Sequence, residues 1–307
     1  MTLAMVFPGQ GSQSVGMQSG LARQFEVVKT TYDEASEGLG YDLWRLVQDG
    51  PKEELNNTLV TQPAMLVAGV AAWRVWREAG GTMPSHMAGH SLGEYTALVC
   101  AGALTFSAAV LLVRRRAELM QEAVPVGEGA MAAILGLDAD VVVDICEIAS
   151  AVGIAEAVNF NSPGQVVVAG QKSAVSTLLE LAKEQGARRA IMLDVSVPAH
   201  SSLMRPAGEA LAEDLAATDF SAAEITVLNS VDGQPYGDPD DIRERLQRQL
   251  SSPVQWVKTV NVLIASGVDA LVECGPGKVL AGLCRRIDKS VAVICIDNPD
   301  NLSKALA

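Results

Sequence analysis

The sequence lacks several features that mark large classes of protein. It has five cysteines, an odd number with no C-x-x-C pair, so neither a disulfide framework nor a zinc knuckle is expected. No apolar run reaches the roughly 18 uncharged residues of a membrane-spanning helix. The first residues, MTLAMVFPGQ, have no basic region and reach Pro-Gly early, which predicts a first strand and not a signal peptide. A cytoplasmic protein without a membrane partner is therefore expected.

Positive charge is also scarce. The 307 residues include 23 Lys and Arg against 36 Asp and Glu, a formal net charge of −13. Because binding to a phosphate backbone needs a basic face, nucleic acid is not an expected partner. Apolar residues make up 49% of the chain, which is typical of a folded protein with a large core.

Hydrophobic spacing predicts strands that alternate with helices, and this pattern favours a mostly parallel sheet covered on both faces. One helix is predicted over Met17–Ser36, and another is predicted to begin at Pro63, since proline suits the first helical position. Between residues 127 and 196 the order changes to β-α-β-β-α-β, which is the ferredoxin-like arrangement. Because the earlier alternation resumes afterwards, this segment is interpreted as an insertion.

The strongest chemical signal is Gly89-His90-Ser91-Leu92-Gly93, which matches G-x-S-x-G between a predicted strand and a predicted helix. In that setting the serine oxygen points out over the end of the sheet, and the Leu92 N–H faces the place where an oxyanion forms. The fold class predicted is therefore α/β, with a large α/β-hydrolase-like domain (1–126 and 197–307) and an inserted ferredoxin-like domain (127–196).

A serine nucleophile needs a base, and the chain has only three histidines. His86 stands at a strand start, where a surface role is expected, and His90 is adjacent to the serine and points elsewhere. His200 lies far along the chain at a strand-to-helix connection, as a base in this chemistry does. His200 is therefore the predicted base for Ser91.

No triad acid stands out from the residues. The aspartates between Ser91 and His200 all lie in the predicted insertion, on segments typical of ordinary surfaces: Asp138, Asp140, Asp144 and Asp194. A backbone or amide carbonyl can orient the imidazole instead, which favours a dyad.

Two glycine-rich segments do not complete nucleotide-binding motifs. Pro8-Gly9-Gln10-Gly11-Ser12-Gln13 lacks the third glycine of a dinucleotide fingerprint, and Gly275-Pro276-Gly277-Lys278 lacks the spacing and the Ser/Thr of a phosphate loop. Arg114-Arg115-Arg116 is the only dense basic run, on an otherwise apolar helix. A solvated triplet is the favoured interpretation from the pattern alone, although one member can point inward, where it needs an anionic partner.

Motifs over nearly the whole chain closely resemble the malonyl-CoA:acyl carrier protein transacylases of bacterial type II fatty-acid synthesis. The motifs that carry the resemblance are FPGQGSQ (7–13), TQPA (61–64), AGHSLGEYTALVCAG (88–102), RAELMQEAVP (116–125), NFNSPGQVVVAG (159–170), VSVPAHSSLM (195–204), PVQW (253–256) and ECGPGKVL (273–280). The resemblance implies an acyltransferase that moves malonyl from coenzyme A to the phosphopantetheine thiol of acyl carrier protein, by a ping-pong route through a malonyl-serine ester.

The resemblance also implies residue roles. Ser91 would be the nucleophile and His200 the base and then the acid, with its ring oriented by the main-chain carbonyl of Gln249. The backbone N–H groups of Gln10 and Leu92 would form the oxyanion hole.

For substrate binding, the resemblance makes Arg116 the ligand of the malonyl carboxylate, which replaces the solvated interpretation at that position. Gln62 and Asn161 match residues near the family's pocket. Ala199 is a departure, since a serine often precedes the histidine.

The resemblance implies malonyl-CoA and acyl carrier protein as partners, no metal and no cofactor, since the coenzyme A thioester is a substrate. A monomer is expected. Because both partners are anionic, basic residues should lie near the cleft mouth, and the candidates are Lys183, Arg188, Arg189, Arg285, Arg286 and Lys289. Three alternatives stay open: a hydrolase with the same Ser-His pair, a non-catalytic carrier-binding subunit, and an acyltransferase of a polyketide or malonate-decarboxylase system.

Overall fold

The computed structural model describes residues 2–195 and 197–307. Met1 and Ser196, the first residue of the predicted large domain and the last of the predicted insertion, lie outside the described residues. The strands are β1 (Leu3–Phe7), β2 (His86–Gly89), β3 (Gly129–Leu135), β4 (Ala155–Ser162), β5 (Gln165–Gln171), β6 (Arg189–Met192), β7 (Thr226–Leu228), β8 (Ala270–Glu273) and β9 (Ala292–Cys295).

The helices lie in the segments between the strands and at the C-terminal end. They are α1 (Ser19–Ala22), α2 (Glu26–Leu39), α3 (Leu43–Asp49), α4 (Lys52–Leu55), α5 (Thr58–Glu78), α6 (Gly93–Cys100), α7 (Phe106–Glu122), α8 (Ala139–Ala149), α9 (Lys172–Glu184), α10 (Arg205–Ala217), α11 (Pro239–Gln249), α12 (Trp256–Ala265), α13 (Val279–Ile287) and α14 (Pro299–Leu306). Short 3₁₀ turns lie at Ser150–Val152 and Ser202–Met204.

The larger sheet is parallel, in the order β7-β2-β1-β8-β9. Every residue of β1 is buried. Met5 and Phe7 belong to one core cluster, whereas Ala4 and Val6 belong to another. Successive strand residues point to opposite faces, so this split shows that apolar layers cover both faces of the sheet, as the alternating pattern predicted.

The smaller sheet is antiparallel, in the order β4-β5-β3-β6. The chain order β3, α8, β4, β5, α9, β6 is the predicted β-α-β-β-α-β arrangement. Residues on one face of the sheet, such as Ile134 and Val168, pack with α8 and α9 in one core cluster. Met131 and Val167 alternate with them and line a cavity against the large sheet's helices instead. The fold class predicted from the sequence is confirmed.

Two sequence predictions of helix bounds are wrong. The helix predicted to begin at Pro63 begins at Thr58, because the Asn57 side chain accepts a hydrogen bond from Leu59 N at 3.0 Å and caps the helix there. Pro63 lies inside α5, where it removes one intrahelical hydrogen bond. The single helix predicted over Met17–Ser36 is two helices, α1 and α2, separated by residues 23–25.

Parallel pairing of β1 with β2 places Phe7 opposite Gly89, so the loops that follow both strands leave the sheet together. The backbones of these two loops lie so close together that only glycine fits at the contact. A Cβ added to Gly93 would lie 2.0 Å from the Phe7 backbone oxygen, and one added to Gly89 would lie 1.9 Å from the Gly93 carbonyl carbon. The glycines of the G-x-S-x-G segment are therefore required by backbone contact at the end of the sheet.

Gly93→Ala should lower the free energy of unfolding by about 3 kcal/mol, because the added methyl group must push two backbone segments apart. Gly282→Ala on α13 is the matched control, since nothing lies within 4 Å of its added Cβ. The control should be neutral or stabilising by about 1 kcal/mol. Chemical denaturation of both variants measures the difference, and equal midpoints would contradict the packing argument.

Candidate active site

Ser91 stands at the turn between β2 and α6, with a backbone φ of +53°. This left-handed conformation is uncommon for any residue but glycine and concentrates at functional sites. The turn is held because Gly93 N donates to His90 O at 3.0 Å and Glu94 N donates to Ser91 O at 3.0 Å. The serine side chain is thereby directed away from the sheet, towards His200.

His200 lies within hydrogen-bond distance of the serine. Its Nε2 is 2.7 Å from Ser91 Oγ, and its Nδ1 is 2.9 Å from Gln249 O. A carbonyl oxygen can only accept, so Nδ1 carries the proton and Nε2 has a lone pair facing the serine hydroxyl. His200 also has a positive backbone φ of +68°, and its backbone N–H donates to Leu250 O at 3.0 Å.

The ring of His200 is held in its neutral form. Burial, and after it the positive charge of Arg116, together lower the pKa of His200 to about 3, against the opposing effect of the hydrogen bond to the Gln249 backbone. A neutral imidazole with a free Nε2 is the form that accepts a proton from serine.

The carboxyl groups weighed as a triad acid are elsewhere. Asp138 and Asp140 lie at the start of α8, and Asp144 lies within that helix, on the layer of the small sheet that faces away from Ser91. Asp194 lines a neighbouring open cavity. The structure therefore gives the His200 ring a main-chain carbonyl as its acceptor, in agreement with the dyad interpretation.

The two backbone N–H groups expected to bind an oxyanion lie on adjacent loops. Leu92 follows the serine, and Gln10 follows β1 on the loop that packs against the same turn. A Cβ on Gly9 would lie 2.5 Å from His90 O and 3.8 Å from Leu92 N, so the two loops are in contact. Within the described residues, neither the Gln10 N–H nor the Leu92 N–H is hydrogen-bonded to a protein acceptor.

Side chains hold the Gln10 loop in place. Gly11 N donates to Gln13 Oε1 at 2.7 Å, and Gln13 Nε2 donates to Asn56 Oδ1 at 2.9 Å. The Gln10 side chain reaches Thr58 Oγ1 at 3.4 Å. These contacts tie the loop to the start of α5 and leave the Gln10 N–H available.

Arg116 is buried, with 1% of its surface exposed, and lies beside the nucleophile. Its Nη2 is 3.3 Å from Ser91 Oγ and 3.0 Å from Gln249 Oε1, and its Nη1 donates to Gln62 Oε1 at 2.6 Å. Its Nε has no hydrogen-bond partner among the described residues. A buried guanidinium with neutral partners and a free N–H is suited to bind a carboxylate.

The other members of the arginine triplet are exposed. Arg114 pairs with Glu118 at 3.0 Å, and Arg115 pairs with Glu118 at 3.5 Å and Asp214 at 3.4 Å. The solvated interpretation of the triplet therefore describes these two residues, and only Arg116 points inward.

Gln62 and Asn161 both reach the site. Gln62 bridges Arg116 and the Met120 sulfur, while Asn161 Oδ1 is 2.8 Å from His90 Nε2. The His90 side chain is half-buried and packs against Trp256, with 5.5 Å between ring centroids. His90 is thus a packing and hydrogen-bonding residue, whereas His86 lies at the strand start with its Nδ1 2.9 Å from Ser85 Oγ.

The two sheets enclose a cavity of about 200 Å³, which is lined by Gln62, His90, Ser91, Arg116, Asn161 and His200. Its walls are mostly apolar beyond the polar centre, with contributions from Met120, Met131, Val167 and Leu283. A second, more open cavity of about 780 Å³ adjoins it and shares Gln10, Thr58 and Val195. The centre can therefore hold a small acyl group, with a larger space beside it.

Sequence reasoning missed one buried group next to this centre. Glu94, at 0% exposure, accepts hydrogen bonds from Gln249 Nε2 at 2.6 Å, from Ser230 N at 3.1 Å and from the Tyr236 hydroxyl. The signal was available, because a glutamate inside the apolar helix 92–101 must have buried partners. The role of the Gln249 side chain was missed as well, since only its carbonyl was expected to act.

Other expected features concern metals, thiols and membranes. The five cysteines are free and buried. In the part of the chain that the structure describes, no group of three or more His, Cys, Asp or Glu side chains is arranged to hold a metal ion. Among the helices of residues 2–195 and 197–307, none combines the length and hydrophobicity needed to cross a membrane.

Comparison with known proteins adds the following. The family model described as an acyl transferase domain matches residues 4–295. The chain is 53% identical over 303 residues to the malonyl CoA-acyl carrier protein transacylase of Salmonella typhimurium, covering 99% of this chain and 98% of that protein. It is 45% identical to the relative of the same name from Bacillus subtilis, over 99% of this chain and 96% of that protein.

Solved structures show the same likeness. The malonyl CoA-acyl carrier protein transacylase of Coxiella burnetii has a TM-score of 0.98 at 45% identity, covering 100% of this chain and 97% of that one. A malonyl-transacylase solved in complex with its holo type II PKS acyl-carrier protein has a TM-score of 0.98 at 51% identity, covering 100% of this chain and 99% of that one.

The pKa of His200 leads to a pH prediction. A base with a lowered pKa stays unprotonated until the pH falls to that value, so Ser91 should keep its reactivity from pH 8 down to about pH 4. The measurement is the rate of Ser91 modification by a sulfonyl fluoride across this range, with folding checked by circular dichroism. His200→Ala is the control and should react slowly at every pH. An inflection near pH 6.5 in the unmodified protein would contradict the prediction.

Proposed function

Because this chain belongs to the acyl transferase domain family, we propose that it transfers a malonyl group from malonyl-CoA to the phosphopantetheine thiol of acyl carrier protein. The transfer supplies malonyl groups for fatty-acid chain elongation. The observation that carries this proposal is the buried Arg116, whose Nη2 lies 3.3 Å from Ser91 Oγ. An enzyme that acts on uncharged acyl groups has no need for a buried cation at that position, whereas a malonyl thioester ends in a carboxylate.

The first half-reaction acylates Ser91. His200 Nε2 removes the hydroxyl proton while Oγ attacks the thioester carbonyl, and the N–H groups of Gln10 and Leu92 bind the resulting oxyanion. The tetrahedral intermediate then collapses, the C–S bond breaks, and the coenzyme A sulfur leaves with the proton that His200 had taken. The Gln249 carbonyl stabilises the imidazolium through its hydrogen bond to Nδ1.

The second half-reaction reverses these roles with a new thiol. His200 removes the proton of the phosphopantetheine thiol, the sulfur attacks the malonyl-serine ester, and Ser91 Oγ leaves with the proton. Because a thioester replaces a thioester, the overall transfer is nearly isoenergetic and runs in both directions. No cofactor takes part in this sequence of steps, since the coenzyme A thioester is itself a substrate.

Arg116 binds the malonyl carboxylate in both half-reactions. Its free Nε and its Nη2 offer the parallel pair of N–H donors that a carboxylate accepts. This contact fixes the position of the acyl group while the thiol of coenzyme A leaves and the phosphopantetheine thiol enters. It also orients the ester carbonyl towards the oxyanion hole. Gln62 holds the other side of the guanidinium through Nη1.

The volume of the cavity fits the malonyl end of the substrate and not the whole of malonyl-CoA. About 200 Å³ accommodates a malonyl group and the thioester but is smaller than the roughly 300–1,000 Å³ of typical ligand pockets. The pantetheine and the nucleotide must therefore extend outwards. The apolar walls limit access of water to the ester, which favours transfer over hydrolysis.

Only some of the basic residues that were expected near the mouth of the cleft lie there. Arg286 donates to Gln165 Oε1 at 2.7 Å, and Gln165 lines the cavity. Arg189 is exposed on β6, opposite Leu135 in the same sheet row as Gln165. Lys183 is a wrong prediction, because α9 covers the other face of the small sheet, where Lys183 pairs with Glu180. Arg285 donates to Val293 O at 2.7 Å. Of the six candidates, Arg189 and Arg286 are the two that we propose for contact with an acidic carrier.

Brief exposure of the intact protein to malonyl-CoA should produce a malonyl adduct on Ser91, because the pair Ser91–His200 is ready to react. Mass spectrometry measures the adduct. The Ser91→Ala variant is the control and should remain unmodified. Subsequent addition of holo acyl carrier protein should remove the adduct and load the carrier. Release of free malonate with no loading of the carrier would instead show a hydrolase.

Arg116→Ala should reduce transfer of malonyl strongly and favour uncharged acyl groups such as acetyl in relative terms. The expected loss in kcat/KM for malonyl-CoA corresponds to about 2–5 kcal/mol, as for removal of one partner of a buried charge pair. Arg115→Ala is the matched control, because Arg115 is the neighbouring residue on the same helix and pairs only with surface acids. Malonyl preference that is unchanged in Arg116→Ala would refute the role.

A further inference from the structure

Glu94 is fully buried and has no part in the steps described above. Its Oε2 accepts from Gln249 Nε2 and Ser230 N, and its Oε1 accepts from the Tyr236 hydroxyl. All three donors are neutral, so this carboxylate is bound by hydrogen bonds and not by a direct ion pair. Burial of a charged group at 0% exposure is costly. This cost indicates that the two carboxylate oxygens of Glu94 have a role that an apolar side chain could not fill.

The Gln249 side chain links Glu94 to the reacting centre. Its Nε2 lies between two acceptors, Glu94 Oε2 at 2.6 Å and Ser91 O at 3.0 Å, and its Oε1 accepts from Arg116 Nη2 at 3.0 Å. The carboxylate and the backbone carbonyl can only accept, and the guanidinium can only donate. One orientation of the carboxamide therefore satisfies every contact, and the flipped orientation breaks all of them.

We propose that Glu94 is a positioning residue that sets the orientation of the Gln249 carboxamide and, through it, the position of Arg116 for the carboxylate of the acyl group. The inference rests on the proposed function, since it assigns Glu94 a part in the selection of a carboxylated acyl group. Gln249 then has two separate tasks. Its main chain orients His200, and its side chain orients Arg116.

The charges around Glu94 favour this arrangement. Arg116 on α7 is the nearby cation, and Tyr95 on α6 lies with its ring centroid 5.6 Å from the guanidinium carbon. Tyr236 contacts Glu94 from one side and is itself 6.0 Å from Arg245, while His200 lies beyond Gln249 and is neutral. Glu94 is thus the only acid in this group, and it balances the charge of Arg116 when no acyl group is bound.

Protonation of Glu94 would weaken the arrangement. Burial raises the pKa of Glu94 above the ordinary carboxyl value, although its three hydrogen bonds oppose the shift. A proton on Oε1 can be donated to the Tyr236 hydroxyl, but it removes the negative charge that strengthens the hydrogen bond from Gln249 Nε2 and that balances Arg116. The KM for malonyl-CoA should therefore rise as the pH falls through this pKa, at a higher pH than the titration of His200.

The first test is a double-mutant cycle with Glu94→Leu, Gln249→Leu and the double variant. Each single change should raise the KM for malonyl-CoA about tenfold, the effect of losing one hydrogen bond to a charged group. In Glu94→Leu the reactivity of Ser91 towards a sulfonyl fluoride should stay within about threefold of the unmodified protein, because that reagent has no carboxylate. The double variant should be no worse than the more affected single variant, since Glu94 acts through Gln249.

The second test uses variants that keep the fold. Glu94→Gln retains an oxygen towards Gln249 Nε2, but it carries no charge and cannot titrate. Its KM at pH 7 should therefore lie near the value that the unmodified protein reaches in acid, and its rise on acidification should disappear. Tyr236→Phe is the matched control, because it removes a donor only from the Oε1 side, and it should leave the KM within threefold.

Clear outcomes would overturn the inference. These are additive effects in the cycle, equal losses for malonyl-CoA and the sulfonyl fluoride, or the same acid-side rise of KM in Glu94→Gln as in the unmodified protein. If Glu94→Leu fails to fold, the pH profile of Glu94→Gln still decides. Failure of the proposed function is distinct, since the unmodified protein would then form no malonyl adduct at all.

Discussion

The constraint on which the rest of this site depends is the burial of the Arg116 guanidinium beside Ser91, the proposed nucleophile. A cation with 1% exposure is expensive, and the structure offsets the cost with the oxygens of Gln62, Ser91 and Gln249 and with the nearby charge of Glu94. Burial lowers the pKa of His200, and the positive charge of Arg116 adds to that shift, so that the imidazole stays neutral. In the proposed function this one buried charge binds the carboxylate of the acyl group, and it adds to the effect of burial that keeps His200 neutral.

The site also depends on strained backbone conformations at two residues. Ser91 and His200 both adopt positive φ values, +53° and +68°, and they meet at 2.7 Å although 109 positions separate them in the chain. Such conformations persist only where the surroundings hold them. Here the contact between the loops after β1 and β2, possible only with glycine at 89 and 93, holds the serine, while the end of α11 holds the histidine.

Much of the fold was predictable, for reasons visible in particular elements. The apolar strands bounded by glycine and proline, and the change of order between 127 and 196, indicated both sheets. The bounds of α5 were not predictable from proline alone, because the cap at Asn57 outweighed the preference of Pro63 for a first turn. Similarly, spacing did not distinguish one helix from two over residues 17–36.

The sequence alone determined the chemistry available: one serine in a G-x-S-x-G turn, few histidines, one arginine triplet on an apolar helix, and motifs shared with a known family. It did not decide which arginine points inward, because three successive helical residues differ by about 100° in direction and only packing selects among them. Nor did it reveal the link from Glu94 through Gln249 to Arg116. Those contacts join positions up to 155 residues apart, and they exist only once the helices that carry them pack together around the parallel sheet.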